Sequence, residues 1–210
     1  MSVLVVLFLT AVLALFSGVY NQGKFARYIG ILGLLVALCV SFSPELAFFF
    51  FFKSMFDFNE NAALFTKISL VVTLLIFFLG GFAFNNHRSH QSELYSLMLF
   101  SLIGAVILFS FTNLVTLFLG IEILSIPLYV MAGSNKTDLR SNEASIKYFL
   151  MGAFATGFLL FGIALIYGST GSFDVHVINT FSVANPKDLM FVMGIMLMLV
   201  AMAFKVSLAP

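Results

Sequence analysis

Uninterrupted apolar runs of about twenty residues recur along this chain, the length a helix needs to cross the hydrocarbon of a bilayer. An α-helix rises 1.5 Å per residue, so about 20 residues cover ~30 Å. Runs of this kind fall at 2–20, 27–43, 65–85, 94–110, 114–132, 145–168 and 188–209. The stretch from Leu94 to Ala132 is nearly twice too long for one crossing, so it must divide. Phe111-Thr112-Asn113 is the best place for a tight turn within it. The expected fold is therefore an all-α membrane protein, a polytopic transmembrane helix bundle of about seven helices. The N-terminal run lacks the basic lead of a cleavable signal peptide and is read as a retained first helix.

Composition agrees and excludes several functions. Charged residues make up 9% of the chain and hydrophobic ones 61%, with a mean hydropathy of +1.12. A soluble domain carries roughly 25% charged residues, so this chain has too few to clothe a water-facing surface. A net charge of +1 gives no basis for binding nucleic acid. The single cysteine, Cys39, cannot form an internal disulfide or supply the four thiolates of an iron–sulfur cluster. No GxGxxG after a strand, Walker loop or HExxH motif occurs, so the sequence offers no catalytic, cofactor-binding or metal-ligating motif.

Basic residues near the span ends suggest orientation. With the N-terminus outside, the inner loops carry Lys24, Arg27, Arg88, Lys136 and Arg140, and the outer segments carry Lys53, Lys67 and Lys187. The run Phe48 to Phe52 reads as an interfacial segment at headgroup level. His87, His90 and His176 fall in loops and read as solvated.

Three charges lie inside spans: Glu122 in LFLGIEILSIPLY, Lys147 in SNEASIKYFLMGAF and Lys205 in MAFKVSLAP. An ionised group at a helix centre costs about 2.5–3.5 kcal/mol on insertion scales. Such a group must pair, face internal water, or neutralise. Lys147 is close enough to the inner end to snorkel, and Lys205 could do so too if its helix ran on to Pro210. Glu122 has no such escape, with about nine residues on either side. A carboxylate close to one lysine holds both charged; moving that lysine away favours protonation of Glu122. Pro127 removes the backbone bond to the Ile123 carbonyl, and Pro210 would do the same at Val206, so both are expected to kink helices beside ionisable residues. Ala153 and Gly157 are spaced to allow close helix packing.

From Glu93 to Pro210 the chain resembles the antiporter-like membrane subunits of respiratory complex I (NADH–quinone oxidoreductase), subunit N most of all. The resemblance rests on ELYSLMLFSLIGAVILFS, on LFLGIEILSIPLYV with Glu122, on SNEASIKYFLMGAFATGFLLFGIALIYGSTGS and on FKVSLAP with Lys205. It implies two segments: three leading helices over 1–92, then over 93–210 four of the five helices of a first antiporter-like inverted repeat. It also implies a proton-translocation role for Glu122, Lys147 and Lys205, the first and last as a coupled pair. NADH, FMN, iron–sulfur clusters and quinone would be served by other subunits of the complex. Partners would be those membrane subunits and the lipid of a bacterial inner membrane. Full-length relatives continue past FKVSLAP into a second repeat, so the sequence reads as a partial product. A subunit of a multi-subunit cation/proton antiporter is the alternative, because it shares the same repeat.

Overall fold

In the computed structural model, which describes residues 2–19, 23–42, 55–83 and 91–208, nearly every apolar run is a helix. The elements are α1 (Ser2–Val19), α2 (Gly23–Ser41), α3 (Glu60–Ala83), α4 (Gln91–Phe109), α5 (Leu114–Ala132), α6 (Leu139–Thr170), α7 (Val175–Ala184) and α8 (Leu189–Lys205). The long apolar stretch divides where expected, between Phe109 and Leu114. Helices α3 to α6 are each long and apolar enough to span, and α1, α2 and α8, at 17 to 19 residues, reach the lower limit of spanning length. The phenylalanine run, His87, Arg88, His90 and Pro210 lie outside the described residues.

One element was not expected. The segment between the last two spans, read as a loop, contains the ten-residue helix α7. Asp174 caps it, its carboxylate accepting from the His176 amide at 2.7 Å. Ten residues rise only ~15 Å, half a bilayer, which is why span length alone did not reveal it. His176 is exposed in its first turn.

The helix ends have local causes. Asn113, Asp138 and Asp188 cap α5, α6 and α8 by accepting from the amides of Val115, Arg140 and Phe191. Gly171, at φ 70°, closes α6 in the left-handed conformation that glycine adopts without steric cost. The last helix stops short of the expected 209. The Ser207 amide bonds the Phe204 carbonyl and the Leu208 amide bonds the Ala203 carbonyl, with Ser207 at φ 58°. That is a Schellman termination, and it ends α8 at Lys205. Val206 is therefore the C-cap rather than an interior residue, which corrects the expected proline kink at its carbonyl. Pro127 lies within α5, which continues unbroken to Ala132.

Two apolar cores hold the bundle. Leu7, Leu34, Leu70, Phe77, Leu99 and their neighbours join α1–α4. Leu117, Ile121, Leu159, Ile163 and Phe191 join α5, α6 and α8. Between the two cores, α4 and α5 cross closely: a Cβ on Gly104 would lie 2.8 Å from the Gly120 carbonyl oxygen. A second backbone crossing joins α6 to α8, where a Cβ on Gly162 would meet the Gly194 carbonyl at 2.8 Å and one on Gly194 would meet the Gly162 carbonyl at 2.9 Å. Close packing on α6 thus occurs at Gly162 and not at the expected pair; Ala153 is exposed and a Cβ on Gly157 would meet nothing within 4 Å.

Three connections lie together at one end. The Asp57 amide bonds the Ser110 carbonyl, the Leu114 amide bonds the Phe173 carbonyl, and the Val175 amide bonds the Thr112 carbonyl. The segments before α3, between α4 and α5, and between α6 and α7 therefore share a face, as alternate loops of a multi-pass protein must. Exposed Phe, Leu, Ile and Val residues cover the sides of the helices, a surface suited to hydrocarbon or to neighbouring helices.

Candidate functional site

Glu122 sits near the middle of α5, about 12 Å along the axis from Leu114 and about 15 Å from Ala132. It is half-buried and faces α6. The Thr156 hydroxyl donates to its Oε1 at 2.7 Å. That hydroxyl also lies 3.0 Å from the Gly152 carbonyl, one turn back on α6.

Lys205 approaches the same helix from the opposite partner. Its ammonium donates to Ser125 Oγ at 3.0 Å and to the Tyr129 hydroxyl at 2.9 Å. It also lies 5.5 Å from the centroid of the Tyr129 ring, within cation–π range. Ser125 and Tyr129 are buried on α5. Because Lys205 occupies the last turn of α8, the negative end of that helix dipole also favours its charge. Its side chain is thus held against α5, where the sequence left open a snorkelling ammonium.

Glu122, Ser125 and Tyr129 stand at i, i+3 and i+7 and share one face of α5. The ammonium of Lys205 consequently lies one to two turns along the axis from the carboxylate. Among the described residues no ion pair joins Glu122 to a lysine, and each group is met by neutral hydroxyls. Gly152 ties the two halves together. Its carbonyl lies beside Thr156, and its bare Cα leaves the space occupied by the Tyr129 phenol; a Cβ there would come within 2.9 Å of Tyr129 Cε1. Beyond Tyr129 and Lys205 a cavity of about 640 Å³ opens between α6 and α8, walled by Tyr148, Phe154, Phe158 and Phe204.

Lys147 does not join this cluster. Its ammonium pairs with Glu143 one turn back on α6, and both side chains are more than 60% exposed. The reason is helical: Lys147 and Thr156 are nine residues apart, which at about 100° per residue places them on opposite sides of α6. Sequence reasoning missed Thr156, Ser125 and Tyr129. The i+3 and i+7 spacing from Glu122 could have pointed to Ser125 and Tyr129, whereas nothing local pointed to Thr156.

The membrane-domain family described as "NADH:quinone oxidoreductase/Mrp antiporter, TM" matches residues 110–210, which include every residue of this cluster. Relatives match the region before it as well. NADH-quinone oxidoreductase subunit N of Cytophaga hutchinsonii is 49% identical over 152 residues, 72% of this chain and 33% of the relative. The subunit N of Flavobacterium psychrophilum is 35% identical over all 210 residues and 46% of its own length. This chain thus resembles the NADH:quinone oxidoreductase/Mrp antiporter membrane family over residues 110–210 and subunit N relatives over its whole length. It spans less than half the length of these relatives of the family. A chain of respiratory complex I from Thermus thermophilus with bound aureothin superposes with a TM-score of 0.72 at 29% identity, over 99% of this chain and 44% of that one. The archaeal membrane-bound sulfane sulfur reductase shares the fold, with a TM-score of 0.74 at 22% identity over 97% of this chain and 44% of its own.

Proposed function

We propose that this chain forms part of a proton-translocating membrane subunit of an NADH:quinone oxidoreductase, with Glu122 and Lys205 as the groups that take up and release protons. One observation carries the reading: a mid-span carboxylate and an amine share a single face of α5, each held by hydroxyls and not by a fixed opposite charge. A permanent ion pair would lock both groups in their charged forms. Hydroxyls accept either form, because a hydroxyl both donates and accepts. Charges this close, out of bulk water, still influence each other, so a proton on one biases the other. That coupling is what a relay needs.

Redox chemistry with NADH, flavin, iron–sulfur clusters and quinone belongs, on this reading, to other subunits of the complex. Those membrane subunits and the lipid of a bacterial inner membrane are the partners, with the N-terminus outside. Lys147, exposed on the far side of α6, serves the route by which protons approach from a neighbouring surface. The names of the relatives favour this reading over a cation/proton antiporter, which the family description also covers.

The test is Glu122→Gln in the full-length subunit within its assembled enzyme. Amide replacement keeps the shape and removes the titrating group, so NADH-driven proton pumping falls while assembly persists. Undiminished pumping by an assembled variant refutes the proposal.

A further inference from the structure

We infer that Thr156 is a positioning residue for Glu122, a hydroxyl rotor that accommodates both protonation states of the carboxyl without moving either helix. The inference rests on the proton-handling role proposed above for Glu122. Thr156 Oγ1 lies 2.7 Å from Glu122 Oε1 and 3.0 Å from the Gly152 carbonyl oxygen, yet the hydroxyl has one hydrogen to give. The two acceptors therefore compete. When Glu122 is ionised, the hydrogen points to the carboxylate, where a charge-assisted bond is the stronger. A proton delivered by water forms an O–H bond on Glu122, and that O–H then donates to Thr156 Oγ1. The threonine hydrogen turns back to the Gly152 carbonyl, a back-bond helices tolerate. No bond to the threonine oxygen is broken; only its C–O torsion changes.

Several features make this arrangement specific. Thr156 is the hydrogen-bond partner of Glu122 among the described residues, so the carboxyl has no competing donor to hold it in one state. The lysine on α6 faces away, paired with Glu143. Lys205 is engaged by Ser125 and Tyr129. The rotor's second acceptor, the Gly152 carbonyl, lies at the point where α6 admits the Tyr129 phenol. The same turn of α6 thus serves the carboxyl on one side and the amine's partner on the other.

The experiment compares Thr156→Val, which keeps the shape and removes the hydroxyl, with Thr156→Ser, which keeps the hydroxyl. Both are made in the full-length subunit within the assembled enzyme. Infrared difference spectra, with the Glu122 band identified by its loss in Glu122→Gln, report the carbonyl stretch of the protonated carboxyl. The wild-type band is expected at the lower frequency of a hydrogen-bonded acid. In the valine variant it moves up to that of an unbonded acid, and serine restores it. Proton pumping is expected to drop about tenfold in the valine variant and to recover in the serine variant, in line with loss of one hydrogen bond to a charged group. An unmoved band in the valine variant, or a serine variant that behaves like valine, overturns the inference. Should the valine variant fail to assemble, the wild-type and serine bands decide: a frequency typical of an unbonded acid in the wild type overturns it, and a hydrogen-bonded one kept in the serine variant supports it. Pumping that survives Glu122→Gln removes the proposed function itself, whereas loss of pumping there with an unmoved valine band removes only the role of Thr156.

Discussion

Gly152→Ala is the substitution that most directly tests how the cluster is built. An added Cβ would lie 2.9 Å from Tyr129 Cε1 and closer still to the phenol oxygen. Carbon atoms in comfortable contact sit about 3.5–4.0 Å apart, and Tyr129 Cζ would be nearer still than Cε1, so the ring must retreat by more than about 1 Å. Tyr129 is wedged edge-on against Tyr148, with ring centroids 4.7 Å apart, and is nearly fully buried, so it has little room to yield. A shift of that size displaces the hydroxyl to which Lys205 donates at 2.9 Å and spoils that bond. Overpacking of this kind costs about 1–3 kcal/mol, and the weakened charged hydrogen bond adds to that. In the assembled full-length enzyme we expect a lower unfolding temperature for the subunit and reduced NADH-driven pumping. Adding Tyr129→Phe removes the clashing oxygen, so the double variant should be less destabilised than the sum of the singles. Gly157→Ala is the control: the same change about one and a half turns along meets open space, and alanine favours the helix by up to about 1 kcal/mol. Wild-type stability and pumping in Gly152→Ala, or equal effects at the two glycines, would refute the reasoning.

Two further outcomes follow from the geometry. Gly162→Ala, whose Cβ would press within 2.8 Å of the Gly194 carbonyl, should force α6 and α8 apart at a cost of about 1–3 kcal/mol, read as loss of assembled subunit or a lower unfolding temperature. Glu143→Gln breaks an exposed i,i+4 pair with Lys147, so thermal stability should change by about 0.5 kcal/mol or less, and a large loss would mean that the pair is buried in the assembled enzyme.

The sequence by itself determined the class of fold and most of its divisions. Hydrocarbon must be crossed by helices of a set length, so apolar runs announce spans without reference to their neighbours. The turn at Phe111-Thr112-Asn113 and the exceptional placement of Glu122 were legible for the same reason, since both are properties of one run. The end of α8 at Lys205 and the short α7 were not, because a Schellman turn with Ser207 in the left-handed region and a capped helix of half a bilayer's length leave no mark on hydropathy. Partnership was the part that only the tertiary structure decided. The residues alone left both Lys147 and Lys205 as candidates to meet Glu122, and only the family resemblance favoured Lys205. The rotation of α6 that brings Thr156 to the carboxyl carries Lys147 to the far side, and the approach of α8 delivers Lys205 to Ser125 and Tyr129. Hydropathy fixes how deep a residue lies along its helix; which way it faces is set by the glycine crossings between helices, and those exist only once the chain has packed.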